Sequence, residues 1–277
     1  MLKKKDIQKV LLVVMDGVGI SQNVYGNAVA LAHTPYLDYL NTTTSLIATL
    51  QAHGKSVGLP SDEDIGNSEV GHNAIGSGQV FDQGAKLINS AIKDGSIYKG
   101  KTWIEATSQV VKNSSTLHFI GLLSDGNVHS NQNHLHSMIH KAAEDKIKRI
   151  RLHVLFDGRD VTDPSRRVYV KKLEKQIAEL NAKGVDVKIA SGGGRMRITM
   201  DRYNADWQMV ERGWDTHVLG NAPQFSSVDQ VLEKYDHNST SDQFFPEFVI
   251  AEGGHPVGKI CDGDSVIFFN YRGDRSI

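Results

Sequence analysis

The residues of this sequence that could do chemistry are a serine before a helix, a carboxylate ending an apolar run, and five arginines. Ser68 lies in Asp64-Ile65-Gly66-Asn67-Ser68-Glu69-Val70-Gly71-His72-Asn73, just before the helix-compatible run Glu69 to Ile75. A loop that brings a hydroxyl to a helix start frees it from crowding and points unpaired backbone N–H groups at any anion it attacks. The ordinary role of Asn or Ser there is to cap the helix. Asp16 closes the run Val10 to Met15 and is followed by Gly17. An Asp-Gly pair commonly forms a turn, but a carboxylate on the rim of a parallel sheet is also a hard-metal ligand. A serine hydroxyl is a weak nucleophile until a base or a metal activates it. Asp16 and Ser68 together therefore suggest a metal-activated alkoxide.

Arg159, Arg195, Arg202, Arg272 and Arg275 all fall at or soon after expected strand ends. A single arginine is ordinarily a solvated surface residue. Five on binding rims imply a small dianionic or trianionic metabolite, because guanidinium groups hold phosphate and carboxylate bidentately. Asp160 and His129 stand beside them. Alone each would be a structural hydrogen-bonder; among arginines they are candidates for proton transfer or hydroxyl orientation. The run Ser191-Gly192-Gly193-Gly194-Arg195 lacks the Gly-x-Gly-x-x-Gly spacing of a dinucleotide fingerprint, and there is no Gly-x-x-x-x-Gly-Lys-Ser/Thr loop. His134, His136 and His140 share a helical stretch with Leu135, Met138 and Ile139, with no carboxylate or cysteine to complete a metal set, so a surface or packing role is expected.

Alternating strands and helices must position these groups. The apolar periodicity predicts strands over Val10–Met15, Thr44–Leu50, Leu117–Leu123, Leu152–Phe156 and Val266–Phe269, and a half-exposed strand over Val185–Ile189. Helices are expected from Thr34-Pro35 through Leu40, around Trp103, Ala106 and Val110, and from about Asn131 to Lys146. Two more follow, one from Pro164 along Val170, Leu173, Ile177 and Leu180 to a stop at Gly184, the other near Tyr203–Arg212. Asp236 to Asp242 reads as a polar loop. This pattern means a mostly parallel α/β sheet with right-handed crossovers, binding its ligand outside the carboxyl ends of the strands. Gly76-Ser77-Gly78-Gln79 is the best crossing between two domains.

The 277 residues suit one large domain or two modest ones. With 31 basic and 32 acidic residues the net charge is −1, which argues against general nucleic-acid or membrane-surface binding. No apolar run approaches the roughly 20 residues of a membrane span. The lone Cys261 excludes an internal disulfide framework and fits a reducing, cytoplasmic setting.

Several motifs, in this order along the chain, resemble those of the cofactor-independent phosphoglycerate mutases of the alkaline-phosphatase superfamily. They are Leu12-Val13-Val14-Met15-Asp16-Gly17, Gly66-Asn67-Ser68-Glu69-Val70-Gly71-His72, Leu123 to Ser130, Asp157-Gly158-Arg159-Asp160, Met200-Asp201-Arg202 and Asn270 to Arg275. The resemblance implies an incomplete alkaline-phosphatase-like sheet domain over 1–80 and an inserted α/β transferase domain over 81–277, lacking its end. It implies that Ser68 carries a phosphoserine intermediate, and that Asp16 and Ser68 are ligands of two divalent metals, commonly manganese. His129, Arg159, Asp160, Arg195, Arg202, Arg272 and Arg275 would bind phosphoglycerate, with Asp160 orienting the accepting hydroxyl, while 3- and 2-phosphoglycerate interconvert. The family's other metal ligands and a substrate-contacting lysine fall beyond Ile277. The expectation is thus an amino-terminal portion with metals absent or partial, its partner the remaining carboxyl-terminal half, and no turnover by itself. Leu11–Met15 and Thr44–Leu50 would then pair in less than a full sheet or be covered by another chain. A metal-dependent phosphomonoesterase and a non-catalytic phosphoglycerate-binding fragment are the alternatives.

Overall fold

Four apolar runs become parallel neighbours in one sheet of the computed structural model, which describes residues 9–15, 18–43, 45, 47–202, 204–236 and 241–276. The strands are β1 (Leu117–Leu122), β2 (Arg149–Phe156), β3 (Asp186–Gly194), β4 (Gln224–Phe225), β5 (Phe248–Glu252), β6 (His255–Pro256) and β7 (Ser265–Phe268). Their order is β4-β5-β3-β2-β1-β7, with β6 paired to β5. β7, β1, β2 and β3 run parallel, Leu117 lying opposite both Ile150 and Ser265, while β5 is antiparallel to β3. This is the mixed α/β, parallel-dominant sheet that the strand–helix alternation calls for.

Strand periodicity separates two faces. Leu117, Phe119, Ile150, Leu152, Val154 and Phe156 share one core with apolar residues of four helices. These are α5 (Lys101–Asn113), α6 (Gln132–Glu144), α7 (Arg166–Asn181) and α9 (Val228–Asp236). The alternate residues Leu122 and Leu155 join Ile198 and Met200 in a second, smaller cluster. His118, Arg151 and His153 follow the same alternation and are buried as well.

The remaining helices are α1 (Ala28–Leu31), α2 (Pro35–Thr42), α3 (Ser68–Ser77), α4 (Gly84–Lys93) and α8 (Trp207–Trp214). Several starts shift from their sequence positions because another residue supplies the cap. The Asp242 carboxylate accepts the N–H groups of Ser165 and Arg166, so α7 opens two residues after Pro164. Asp206 accepts from Met209 and sets the start of α8 at Trp207. α1, α4, α9, β4, β5 and β6 have no counterpart in the sequence reading. For β5 a signal exists: the run Phe248–Ala251 is wholly apolar, with Pro246 before it and Gly253-Gly254 after it. The triple glycine is the carboxyl half of β3, where strands crowd. A Cβ on Gly194 would lie 2.3 Å from the Gln243 carbonyl oxygen, and one on Gly192 2.5 Å from that of Val154.

The chain divides into two units, Met1–Leu50 and Gln51–Ile277. In the first, the described residues of the two expected strands form none. Residues 9–15 have no ladder partner, and Val10, Leu11 and Leu50 are each more than four-fifths exposed. A strand is stable only with a hydrogen-bonded neighbour and something to cover its apolar face, and the described residues of this unit offer neither. In the second unit, Val57, Leu59 and Val70 form a small separate core under α3. Among the described residues no helix is long and apolar enough to cross a membrane.

Histidines are buried neutral in the second unit. Burial lowers His217 to about 3 and His134 to about 4, and lowers His118 and His153 too. Unfolded histidines protonate near 6.5, so between that value and the folded ones the unfolded chain binds more protons, and stability falls as pH falls. Unfolding by urea is expected to need less denaturant at pH 5 than at pH 7.5, by roughly 2 kcal/mol for each of His134 and His217. A flat stability profile over that window would contradict the burial of these rings.

Candidate functional site

Because β1, β2, β3 and β7 are parallel, the segments that follow them leave the sheet at one rim. Asp157, buried just past β2, ties three of those segments together. Its Oδ2 accepts the Ser124 hydroxyl at 2.6 Å, and its Oδ1 accepts Arg195 Nη1 at 2.7 Å and the N–H groups of Arg159 and Asp160 at 3.1 and 3.0 Å. The same Arg195 Nη1 reaches Asp160 Oδ2 at 2.5 Å. Arg195 is 1% exposed, a charge that burial permits only because two carboxylates face it. Burial and then the charge of Asp157 push the Asp160 carboxyl above its ordinary value, against the pull of Arg195 and Arg159.

His129 is buried beside them. Its Nε2 is 3.9 Å from Asp160 Oδ2, its Nδ1 is 3.7 Å from Asp274 Oδ1, and Nδ1 makes no hydrogen bond. Burial first, then Arg195, Arg272, Arg275 and Arg202, lower its pKa to about 3, so the ring is neutral at physiological pH. Arg272 Nε lies 2.9 Å from Glu69 Oε2 and 3.1 Å from Asp274 Oδ1, and Arg202 Nη2 lies 3.2 Å from Asp274 Oδ2. Arg275 donates from Nη1 to the Met200 carbonyl at 2.8 Å. Its own pKa is held below the ordinary guanidinium value by burial and then by Arg195, Arg159 and Arg202. Arg159 is exposed and its side chain makes no hydrogen bond or ion pair among the described residues.

The structure therefore brings the five sequence-predicted arginines, His129 and Asp160 into one electrostatic neighbourhood. Asp157, Asp274 and Glu69 are the residues that the sequence reading missed. Asp157 had a signal, being the first polar residue after a buried strand; Asp274 stands between Arg272 and Arg275 and could have been paired with them by proximity. Five guanidinium groups against Asp157, Asp160, Asp274 and Glu69 leave an excess of positive charge, which suits a small multivalent anion.

The Ser68 motif reaches the same rim by two links. Glu69 pairs with Arg272, and Asn127 Nδ2 donates to Asp64 Oδ1 at 2.6 Å. Asn127 takes a positive φ of 57°, a conformation asparagine tolerates. The N-cap of α3 is Asn67, whose side chain accepts from Glu69 and Val70 N–H at 3.0 and 3.3 Å. Ser68 is the first helical residue; it is exposed, and its hydroxyl makes no hydrogen bond among the described residues. The capping role open to Ser68 in the sequence is thus filled by its neighbour.

Asp16 lies outside the described residues. Among those described, no three His, Cys, Asp or Glu side chains stand together as a metal ion requires. The donors described do not fit a pair of divalent metals.

Residues 88–277 match the family described as BPG-independent PGAM N-terminus. A probable 2,3-bisphosphoglycerate-independent phosphoglycerate mutase of Leptospira interrogans is 52% identical over 276 residues, covering 98% of this chain and 50% of that protein. The 2,3-bisphosphoglycerate-independent phosphoglycerate mutase of Trypanosoma brucei brucei is 47% identical over 273 residues, with the same coverages of 98% and 50%. A crystal structure of Leishmania mexicana phosphoglycerate mutase at low cobalt concentration superposes with a TM-score of 0.85 at 47% identity, over 89% of this chain and 45% of that one. The chain spans about half the length of the curated relatives it matches.

Removing Asp157 would leave Arg195 buried against Asp160 alone and free the Ser124 hydroxyl. Asp157→Ala is expected to lose roughly 3 kcal/mol in urea unfolding, and Asp157→Asn, which keeps an acceptor, distinctly less. Equal stability of Asp157→Ala and the native chain would show that the three segments are held some other way.

Proposed function

The chain belongs to the BPG-independent phosphoglycerate mutase family, and from that premise we propose that its arginine rim binds phosphoglycerate for the interconversion of the 3- and 2-phospho isomers. The observation that carries the reading is the gathering of Arg195, Arg202, Arg272 and Arg275 at one rim beside buried His129, where burial and then the like charges of Arg195, Arg159 and Arg202 hold Arg275 below its ordinary value. An anion placed among these groups relieves their repulsion and makes charge-assisted, bidentate contacts with the phosphate and carboxylate ends of such a molecule. Arg159, the exposed member, is proposed to close on the ligand. Neutral His129, with a ring nitrogen unused, is proposed to hydrogen-bond it. Asp160 is proposed to orient the accepting hydroxyl, a task suited to a carboxyl raised above its ordinary value beside a fixed guanidinium.

Ser68 is proposed as the residue that takes the phosphoryl group as a phosphoserine, because its hydroxyl is exposed and uncommitted at a helix start facing the rim's Arg272 through Glu69. Asp16 and Ser68 are proposed as two donors to a divalent metal pair, manganese by the family resemblance, with other donors from a carboxyl-terminal half such as the longer relatives possess. The functional division is proposed to follow 1–80, a phosphatase-like part, and 81–277, an inserted transferase part. A reducing, cytoplasmic setting is proposed on the single cysteine, Cys261, which is exposed and free.

Two measurements test this reading. Isothermal titration of the 277-residue chain with 3-phosphoglycerate is expected to show binding, weakened at least about tenfold in Arg159→Ala, the equivalent of about 1.4 kcal/mol. Absence of heat with the native chain, or unchanged affinity in the variant, would remove the proposed ligand. The same chain assayed with manganese is expected to bind 3-phosphoglycerate without isomerising it, since its described donors do not hold a metal pair. Formation of 2-phosphoglycerate with stoichiometric bound metal would overturn that expectation.

A further inference from the structure

A line of buried polar groups crosses the second face of the sheet. It begins at Asp264, just before β7, whose Oδ2 lies 3.1 Å from His118 Nε2. His118 Nδ1 lies 2.9 Å from His153 Nε2, and His153 Nδ1 lies 2.6 Å from the Ser191 hydroxyl. Ser191 Oγ lies 2.7 Å from His217 Nδ1, and His217 Nε2 lies 3.0 Å from Thr199 Oγ1. His118, His153, Ser191 and His217 are all 3% exposed or less. The proposed catalytic and binding residues include none of these groups.

The carboxylate at one end fixes every proton in the row. Asp264 can only accept, so neutral His118 carries its proton on Nε2 and offers Nδ1 as acceptor. His153 must then donate from Nε2 and accept at Nδ1, which makes Ser191 a donor toward it. Ser191 in turn accepts from His217 Nδ1–H, leaving His217 Nε2 to accept the Thr199 hydroxyl proton. Six groups thus point their hydrogen bonds in one direction, and the Thr199 hydroxyl has one orientation.

Thr199 is held in a conformation that it would not choose. Its φ is +70°, a region in which a β-branched residue is an outlier. Its N–H donates to the Met209 carbonyl at 3.2 Å, and α8 presses so close that a Cβ on Gly213 would lie 2.5 Å from Thr199 Oγ1. The next residue, fully buried Met200, presents its carbonyl to Arg275 Nη1 at 2.8 Å; two residues further on, Arg202 meets Asp274. The backbone turn at Thr199 therefore sets where the Met200 carbonyl points, and with it where Arg275 is held.

We infer that Thr199 is a positioning residue of the arginine rim, locked in its left-handed turn by the hydrogen-bonded row Asp264–His118–His153–Ser191–His217 so that the Met200 carbonyl aims Arg275 at the anionic ligand. The inference rests on the phosphoglycerate-binding reading for its functional consequence, but not for the row or the turn themselves. Thr199 touches no ligand in this account and acts through Met200 and Arg275. The hydroxyl, rather than the bulk of the side chain, is the part that matters.

The test compares the native 277-residue chain with Thr199→Val, which keeps the shape without the hydroxyl, and Thr199→Ser, which keeps the hydroxyl. In titrations with 3-phosphoglycerate, Thr199→Val is expected to bind about tenfold more weakly, and Thr199→Ser within about twofold of the native chain, all three showing the same far-ultraviolet dichroism. Native affinity in Thr199→Val, or equal weakening in Thr199→Ser, overturns the inference. If Thr199→Val does not fold, His217→Phe removes the acceptor instead and is expected to weaken binding by a similar factor; native affinity there is equally fatal. If the native chain itself gives no heat, the phosphoglycerate reading fails and the inference is decided without ligand, by nuclear magnetic resonance. Slowly exchanging Arg275 guanidinium protons, with His118 and His153 protonated on Nε2 and His217 on Nδ1, are expected in the native chain and in Thr199→Ser. Loss of the Arg275 signals in the folded hydroxyl-lacking variant supports the positioning role, and their persistence, or the opposite set of tautomers, refutes it.

Discussion

The Asp157 carboxylate is the contact on which the rim depends. A parallel sheet brings the ends of its strands to one edge but does not fix the loops that leave them. Asp157 does so by accepting from β1's exit through Ser124, from β3's exit through Arg195, and from its own loop through the N–H groups of Arg159 and Asp160. With four donors, the charge is satisfied without water, which is the condition under which an ion can be buried. Arg195 is held rigidly for the same reason, and Asp160 is carried in beside it.

Around this anchor the electrostatics are deliberately unequal. Arg195 is neutralised by two aspartates, whereas Arg275 has a backbone carbonyl for its hydrogen-bond partner and three arginines against Asp274 for its electrostatic neighbours. Like charges brought together in a partly desolvated place raise the free energy of the empty site, and an anion lowers it again. His129 stays neutral in the same field and so adds a hydrogen-bonding ring without adding charge. Fixed donors around an exposed one, Arg159, suit a site for a small multivalent anion.

The two faces of the sheet differ in kind. One is a conventional apolar core shared with α5, α6, α7 and α9. The other combines a four-residue apolar cluster with a row of imidazoles and hydroxyls, each polar atom along it paired with the next. Polar groups in such a place cost stability unless all are satisfied, and once satisfied they specify a single arrangement more sharply than apolar packing does. Ile198 and Met200 pack on the second face, and Arg202, two residues further on, pairs with Asp274 at the rim.

Much of this was legible in the sequence. The runs Leu117–Leu123, Leu152–Phe156 and Val266–Phe269, with helices of regular stripe between them, fixed a parallel sheet and therefore a common rim. The arginines just past those runs then had to be neighbours, whatever the details of the loops. Local chemistry also named Asn67 and Ser68 as alternatives at the start of α3. Tertiary structure decided the rest, because the deciding partners are distant in the chain. Asn67 takes the cap and leaves Ser68 uncommitted. Asp157 proves more central than Asp160 because Ser124 and Arg195 converge on it from other strands. His118 and His153 stand within the apolar runs of β1 and β2, and only the fold brings His217, 64 residues after His153, into line with them. The apolar run at residues 10–15 shows the limit from the other side: its composition suits a strand, but a strand exists only where another backbone meets it, and composition does not encode that meeting.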